Sequence, residues 1–206
     1  MKIAVINEVS AMARNPDVLA AIQPTGHEVC NLGMDPSGQQ PELTYIHTGL
    51  MAAIVLNSGI CGLVVGGCGT GQGFLASSMQ YPGVFAGLIE TPLDAWLFSQ
   101  INGGNCISLA LNKGYGWAAD INLKYIFERL FQDPFGQGYP PQRQESQRHS
   151  RNMLVQISAA VHKPLTEAAR FLQKPYLREV LEFPGFKEFM STDAAQKLYK
   201  ELSGAV

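Results

Sequence analysis

Through residue 132 the chain alternates short apolar runs with segments of helix length. The runs at 2–6, 28–32, 61–66, 84–89 and 106–111 are predicted as strands, and 15–23, 43–58, 72–79, 92–101 and 117–132 as helices. Near-continuous apolar strands, each followed by a helix, belong to a parallel sheet covered on both faces. The expected class is therefore α/β: a three-layer α/β/α sandwich around a five-stranded parallel, Rossmann-like sheet. Thr91-Pro92-Leu93-Asp94 reads as an N-cap with proline at the first helical position. Asp17 and Glu42 lie near helix starts, where negative charge is favoured. Chemistry in such sheets gathers at the carboxyl ends of the strands. That edge would collect Asn7, Glu8, Ser10, Cys68, Thr70, Glu90 and Asn112.

The alternation stops at the Pro/Gly-rich stretch 133–142. A helical pattern follows through Val161, opening with Arg143, Arg148, His149 and Arg151. The tail, 164–206, reads as short helices broken at Pro175 and Pro184. The expected division is an α/β domain at 1–142 and a helical C-terminal extension at 143–206. The extension would pack on that domain or on a partner subunit.

Composition narrows the function classes. Of the 206 residues 46% are apolar, ample for a packed core, and the net charge of −2 gives no electrostatic case for nucleic acid or an anionic membrane. No apolar run is long enough to span a bilayer, and the first residues look like a strand rather than a signal peptide. A cytoplasmic protein is expected. The four cysteines, Cys30, Cys61, Cys68 and Cys106, form no CxxC pair, so reduced buried thiols are expected rather than disulfides or a zinc site.

The most informative segment is Gly66-Gly67-Cys68-Gly69-Thr70-Gly71-Gln72-Gly73, between an apolar strand and a helix. A glycine-rich strand-to-helix turn converges unpaired N–H groups on one point, which suits an anion. A cysteine there is favoured as thiolate. The dinucleotide fingerprint fails, since its last glycine would fall on Gln72 or Phe74. A P-loop fails because Gly71 is followed by Gln72 and Gly73 rather than by Lys and Ser or Thr. No arginine closes the loop as a cysteine phosphatase needs.

With its preceding strand, this loop resembles the signature of the ribose-5-phosphate isomerase type B / galactose-6-phosphate isomerase family. The similarity extends through Lys2-Ile3-Ala4-Val5, Thr44-Tyr45-Ile46-His47 and Ser99-Gln100-Ile101-Asn102 to Asn105-Cys106-Ile107, covering roughly residues 1–150. The resemblance implies aldose–ketose isomerisation of a sugar phosphate through an enediolate, with no metal or cofactor. It implies Cys68 as the base and Thr70 as a donor that helps move protons between substrate oxygens. It implies Gly69, Gly71 and Gly73 as oxyanion donors, and Tyr45 and Asn102 as substrate-lining residues. It also implies a homodimer, or a dimer of dimers, with sites near the interface.

The departures are specific. Where the family has Asp-His after the first strand, this chain has Glu8-Val9, so Glu8 takes the carboxylate position. Ile101 stands where the family has a ring-opening histidine, and Asn112-Lys113 where it has an arginine. Arg143, Arg148 and Arg151 are the candidates for phosphate, against the plainer reading of a solvated helix face. His47 either points to the site or is an ordinary helix histidine, and Glu90 either serves the site or caps a helix. Trp96, Phe98, Phe127 and Phe131 read as core or interface. The competing function is a sugar- or anion-binding protein without catalysis, but binding alone needs neither Cys68 nor Thr70. The isoleucine predicts a preference for short or open-chain substrates over ribose 5-phosphate, since these have no ring to open.

Overall fold

The structure, a computed structural model, describes residues 1–206 apart from the side chains of residues 193 and 194. Five strands, β1 (Lys2–Asn7), β2 (Glu28–Asn31), β3 (Leu63–Cys68), β4 (Ala86–Ile89) and β5 (Cys106–Ala110), form one parallel sheet in the order β2-β1-β3-β5-β4. The chain leaves β1 toward one side to make β2, then returns across β1 to make β3. The strand order reverses between β1 and β3, and in parallel sheets the crevice at such a reversal is where ligands sit.

Helices cover both faces. Side chains of α1 (Asn15–Ile22) and α5 (Ala119–Leu130) pack with Ile3, Val5, Leu63, Val65 and Ile107 on one face. On the other face α2 (Tyr45–Ser58) and α3 (Gln72–Ser78) cover Ala4, Ile6, Val64 and Cys106. Between β4 and β5 lies α4 (Pro92–Leu97), which continues into one π-helical turn, Phe98–Asn102. Thr91 caps α4 with Asp94 in a reciprocal box.

The helix α2 is apolar around its whole circumference, and every residue from Thr48 to Val55 is buried. A helix of that kind needs cover on its outer side as well. The cover comes from α7 (Leu165–Ala168), α8 (Lys174–Glu182), α9 (Pro184–Met190) and α10 (Asp193–Ser203). Their Leu165, Leu177, Val180, Phe186 and Leu202 join the same core as α2. The breaks expected at Pro175 and Pro184 are the starts of α8 and α9, where the prolines stand in the first turns and a missing N–H costs nothing. The long α6 (Gln144–Val161) differs from these four. Only Ser158 of its residues is buried, and Met153, Leu154, Val155, Ile157 and Val161 are exposed.

Candidate active site

The reversal between β1 and β3 holds Glu8 on one side and Cys68 on the other. Cys68 ends β3, is 6% exposed, and has its sulfur 3.9 Å from the Thr70 hydroxyl. The turn that follows needs its glycines. Gly71 adopts φ +74° as the N-cap of α3, and a Cβ there would lie 2.5 Å from the Leu88 side chain. A Cβ on Gly73 would lie 2.8 Å from the Tyr45 ring, so the bare backbone of Gly73 is what lets that ring rest on the loop.

Glu8 is buried, and its carboxylate accepts from the Ser10 hydroxyl. The same hydroxyl accepts from the Gly69 N–H at 3.0 Å. Asn112 donates from Nδ2 to the Ser10 carbonyl at 2.6 Å, while the Asn112 and Lys113 amides donate to the Gly69 carbonyl at 3.0 and 2.8 Å. The residue after Cys68 is thus held on both sides. Beside it Asn7 is buried with neither end of its side-chain amide hydrogen-bonded.

Several loop amides are already used within the turn. Gly69 donates to Ser10, Gly71 to the Cys68 carbonyl at 3.3 Å, and Gln72 to the Thr70 hydroxyl at 3.3 Å. The groups left for an oxyanion are the Thr70 amide and the first-turn amides of Gly73 and Phe74, which precede the first intrahelical bond, Leu75 to Gly71. Gly69 and Gly71 therefore shape the turn, and their amides point into it.

The remaining candidates lie elsewhere. Asn102 and Ile101 precede β5, whose first residue Cys106 pairs with Val64 at the start of β3, so they sit at the opposite edge of the sheet from Cys68. With Arg151 they line a cavity of about 760 Å³ between β4 and α6, whose walls include Leu88, Leu97, Phe98, Leu154 and Ile157. Arg151 donates to the carbonyls of Ile101, at 3.0 Å, and Gly136, tying α6 to the α4–β5 connection. Burial, with Arg148 nearby, lowers its pKa. Arg148 and Arg143 are exposed on the outer surface.

His47 is committed to structure. Its Nδ1 accepts from the Thr44 N–H at 3.1 Å in the cap of α2, and its Nε2 lies 2.9 Å from Glu179 of α8. Glu90 pairs with Lys113 at 2.7 Å, and the cap of α4 is left to Thr91 and Asp94. Glu42 lies outside α2, which begins after Thr44. Burial pushes the thiols of Cys61 and Cys106 up to about 12 and raises that of Cys30. Among the described residues, no three His, Cys, Asp or Glu side chains lie close enough together to hold a metal ion. The bonds from Glu179 and Tyr176 to the start of α2 had no signal in the sequence, because 130 and more positions separate the partners.

Residues 3–146 match the family described as Ribose/Galactose Isomerase. No curated protein shows a significant match to the chain. Among solved structures, the ribose-5-phosphate isomerase from Vibrio parahaemolyticus is 40% identical, with TM-score 0.93, 100% of this chain and 99% of that chain covered. A 4-deoxy-L-threo-5-hexosulose-uronate ketol-isomerase complexed with a tartrate is 36% identical, with TM-score 0.92, 99% of this chain and 100% of that one covered. A ribose 5-phosphate isomerase from Thermotoga maritima, 21% identical with TM-score 0.58, shares the fold over 72% of this chain and 97% of its own. By its glycine loop, its parallel sheet and these likenesses, the chain belongs to the ribose/galactose isomerase family and is an isomerase.

Proposed function

We propose that this isomerase interconverts an aldose and a ketose through an enediolate, with Cys68 as the base. The observation that carries the proposal is the placing of the Cys68 sulfur at the β1–β3 reversal, 3.9 Å from the Thr70 hydroxyl and beside a turn overlain by Tyr45. The Cys68 thiolate takes the proton from the carbon next to the substrate carbonyl, and the electron pair moves into the enediolate. The same group returns the proton to the neighbouring carbon. Thr70 passes a proton between the two oxygens, and the Thr70 and Gly73 amides meet the developing negative charge. Glu8 holds a substrate hydroxyl.

The substrate is an open-chain sugar with an anionic end. Two full-length relatives carry different names, one a ribose-5-phosphate isomerase and the other a hexosulose-uronate ketol-isomerase. A sugar phosphate is the first reading. A specific observation favours the carboxylate as the second: Arg151 is spent on two backbone carbonyls, which leaves less cationic capacity for a phosphate. With Ile101 in place of an acid–base group, either substrate would be taken in its open form.

A second copy of the chain completes the site in this proposal. Asn102 sits at the opposite edge of the sheet from Cys68, Arg148 is exposed on α6, and α6 exposes an apolar row. The partner's α6 and α4–β5 connection would bring both residues over the glycine loop. The test has two arms. Specificity constants for ribose 5-phosphate, a tetrulose phosphate and the hexosulose uronate identify the substrate. A preference for ribose 5-phosphate overturns the open-chain reading, and turnover of none overturns the isomerase proposal. Mixing inactive Cys68→Ser protein with Asn102→Ala protein should restore activity in mixed dimers. No recovery would place each site within one chain.

A further inference from the structure

We propose that α8 of the C-terminal extension is a positioning element of the active site: by holding the Ile46 carbonyl and the His47 imidazole, it sets Tyr45 on the glycine loop. The inference rests on the chemistry proposed for Cys68 and adds a role for the extension.

Three helices meet at one carbonyl. The Ile46 C=O accepts from the Tyr176 hydroxyl of α8 at 2.9 Å and from the Ser77 hydroxyl of α3 at 3.3 Å. Since the Tyr176 proton is used there, the Tyr81 hydroxyl donates to Tyr176 at 2.9 Å. Burial raises the pKa of both phenols, which keeps both hydroxyls protonated as this chain of donors requires. The α2–α3 contact beneath is very close, for a Cβ on Gly49 would fall 2.2 Å from the Ser77 oxygen.

One residue further on, α8 takes the His47 ring. Its Nδ1 accepts from the Thr44 N–H, so the proton sits on Nε2 and is donated to the Glu179 carboxylate at 2.9 Å. The Tyr176 and His47 rings are 5.2 Å apart. Both residues after Tyr45 are therefore gripped from outside the α/β core, while the Tyr45 ring itself lies on Gly73. The first turn of a helix is the part most prone to fray. Tyr45 is the first residue of α2, so its place over the loop depends on what fixes that turn. The underside of the same helix is held by the sheet whether α8 is present or not.

The test is a double-mutant cycle in the full-length chain. Tyr176→Phe keeps the ring and removes the hydroxyl. It should lower kcat/KM by about threefold to tenfold, since small misplacements at a reacting centre are costly. In a Tyr45→Ala background the same change should cost nothing further. Glu179→Leu, which removes the acceptor for the His47 N–H, should act in the same direction. Amide exchange in 44–49 and 69–75 should quicken in Tyr176→Phe while that of β1 stays unchanged. A lower melting temperature with unchanged kcat/KM overturns the proposal, as does a full-sized effect in the Tyr45→Ala background. If the wild type turns over none of the substrates, the proposed chemistry fails and exchange alone judges the clamp: faster exchange confined to those two segments supports it, and uniform or unchanged exchange overturns it.

Discussion

At the carboxyl edge of the sheet the polar groups bond mostly to one another: Glu8 to Ser10, Ser10 to Gly69, Asn112 to Ser10, Gln72 to Thr70. Along β4, Asn102 at the amino edge and Ser150 of α6 open instead onto a cavity walled largely by aliphatic and aromatic side chains. The first arrangement is already organised in one chain, which is what a base needs to hold its geometry. Beside the second, the apolar row of α6 is exposed. Strand β3 lies between them, about 16–20 Å long at the usual rise per residue. The comparison teaches that the groups proposed for proton transfer and the Asn102 proposed for substrate grip lie at opposite edges of one sheet, whereas Cys68, Thr70, Tyr45 and Glu8 all stand at its carboxyl edge.

The largest effect should come from the organised edge. Cys68→Ser should lower kcat about 10²–10⁴-fold with folding unchanged, because a hydroxyl is a far poorer base near neutral pH. Near-wild-type turnover would remove Cys68 from the mechanism and dissolve the contrast between the edges.

Arg151→Ala probes the other edge as structure. It removes two hydrogen bonds from a charged donor, and each such bond is worth about 1.5–3 kcal/mol. Partial exposure of the side chain places the loss toward the lower end. Chemical denaturation would measure it, and an unchanged midpoint would return Arg151 to the list of groups free to bind a phosphate.

Ser10→Ala should lower kcat by about tenfold with KM little changed, since Gly69 loses its acceptor and shifts beside Cys68. Ser10→Thr keeps the hydroxyl and should recover most of the rate. Failure of that rescue would reduce Ser10 to packing.

The smallest effect on the isolated chain is expected at Arg148, which is exposed. Arg148→Ala should leave the melting temperature unchanged yet raise KM, as the proposed completion of the site by a second copy requires. If KM also stays put, the basic start of α6 is a solvated face and the anionic end of the substrate is held elsewhere.

The fold was legible because its signals are local. Apolar runs give β1 to β5 to within a few residues, and Thr91-Pro92 marks the start of α4 by chemistry confined to one turn. The glycine loop was legible for the same reason, since strand, cysteine and helix start are consecutive. Pro175 and Pro184 mark the breaks between the short helices of the tail, because proline suits a first helical turn and disfavours the turn before it. The role of His47 is not legible in the sequence, because its partner Glu179 lies 132 positions away.

What the sequence by itself determined, then, is whatever neighbours along the chain decide: the strands, the capped helices, the loop that presents Cys68 and Thr70, and the family these residues point to. The tertiary structure alone decided which edge each candidate occupies. Arg151 and Asn102 share a motif list with Cys68 but not a place in space, because β5 carries its preceding loop to the far end of the sheet. It also decided that Tyr176 and Glu179 hold Ile46 and His47 at the start of α2. Contacts between residues 130 and more positions apart are set by how apolar faces stack, as α8 does on the outer side of α2, and that stacking leaves no mark on either segment taken singly.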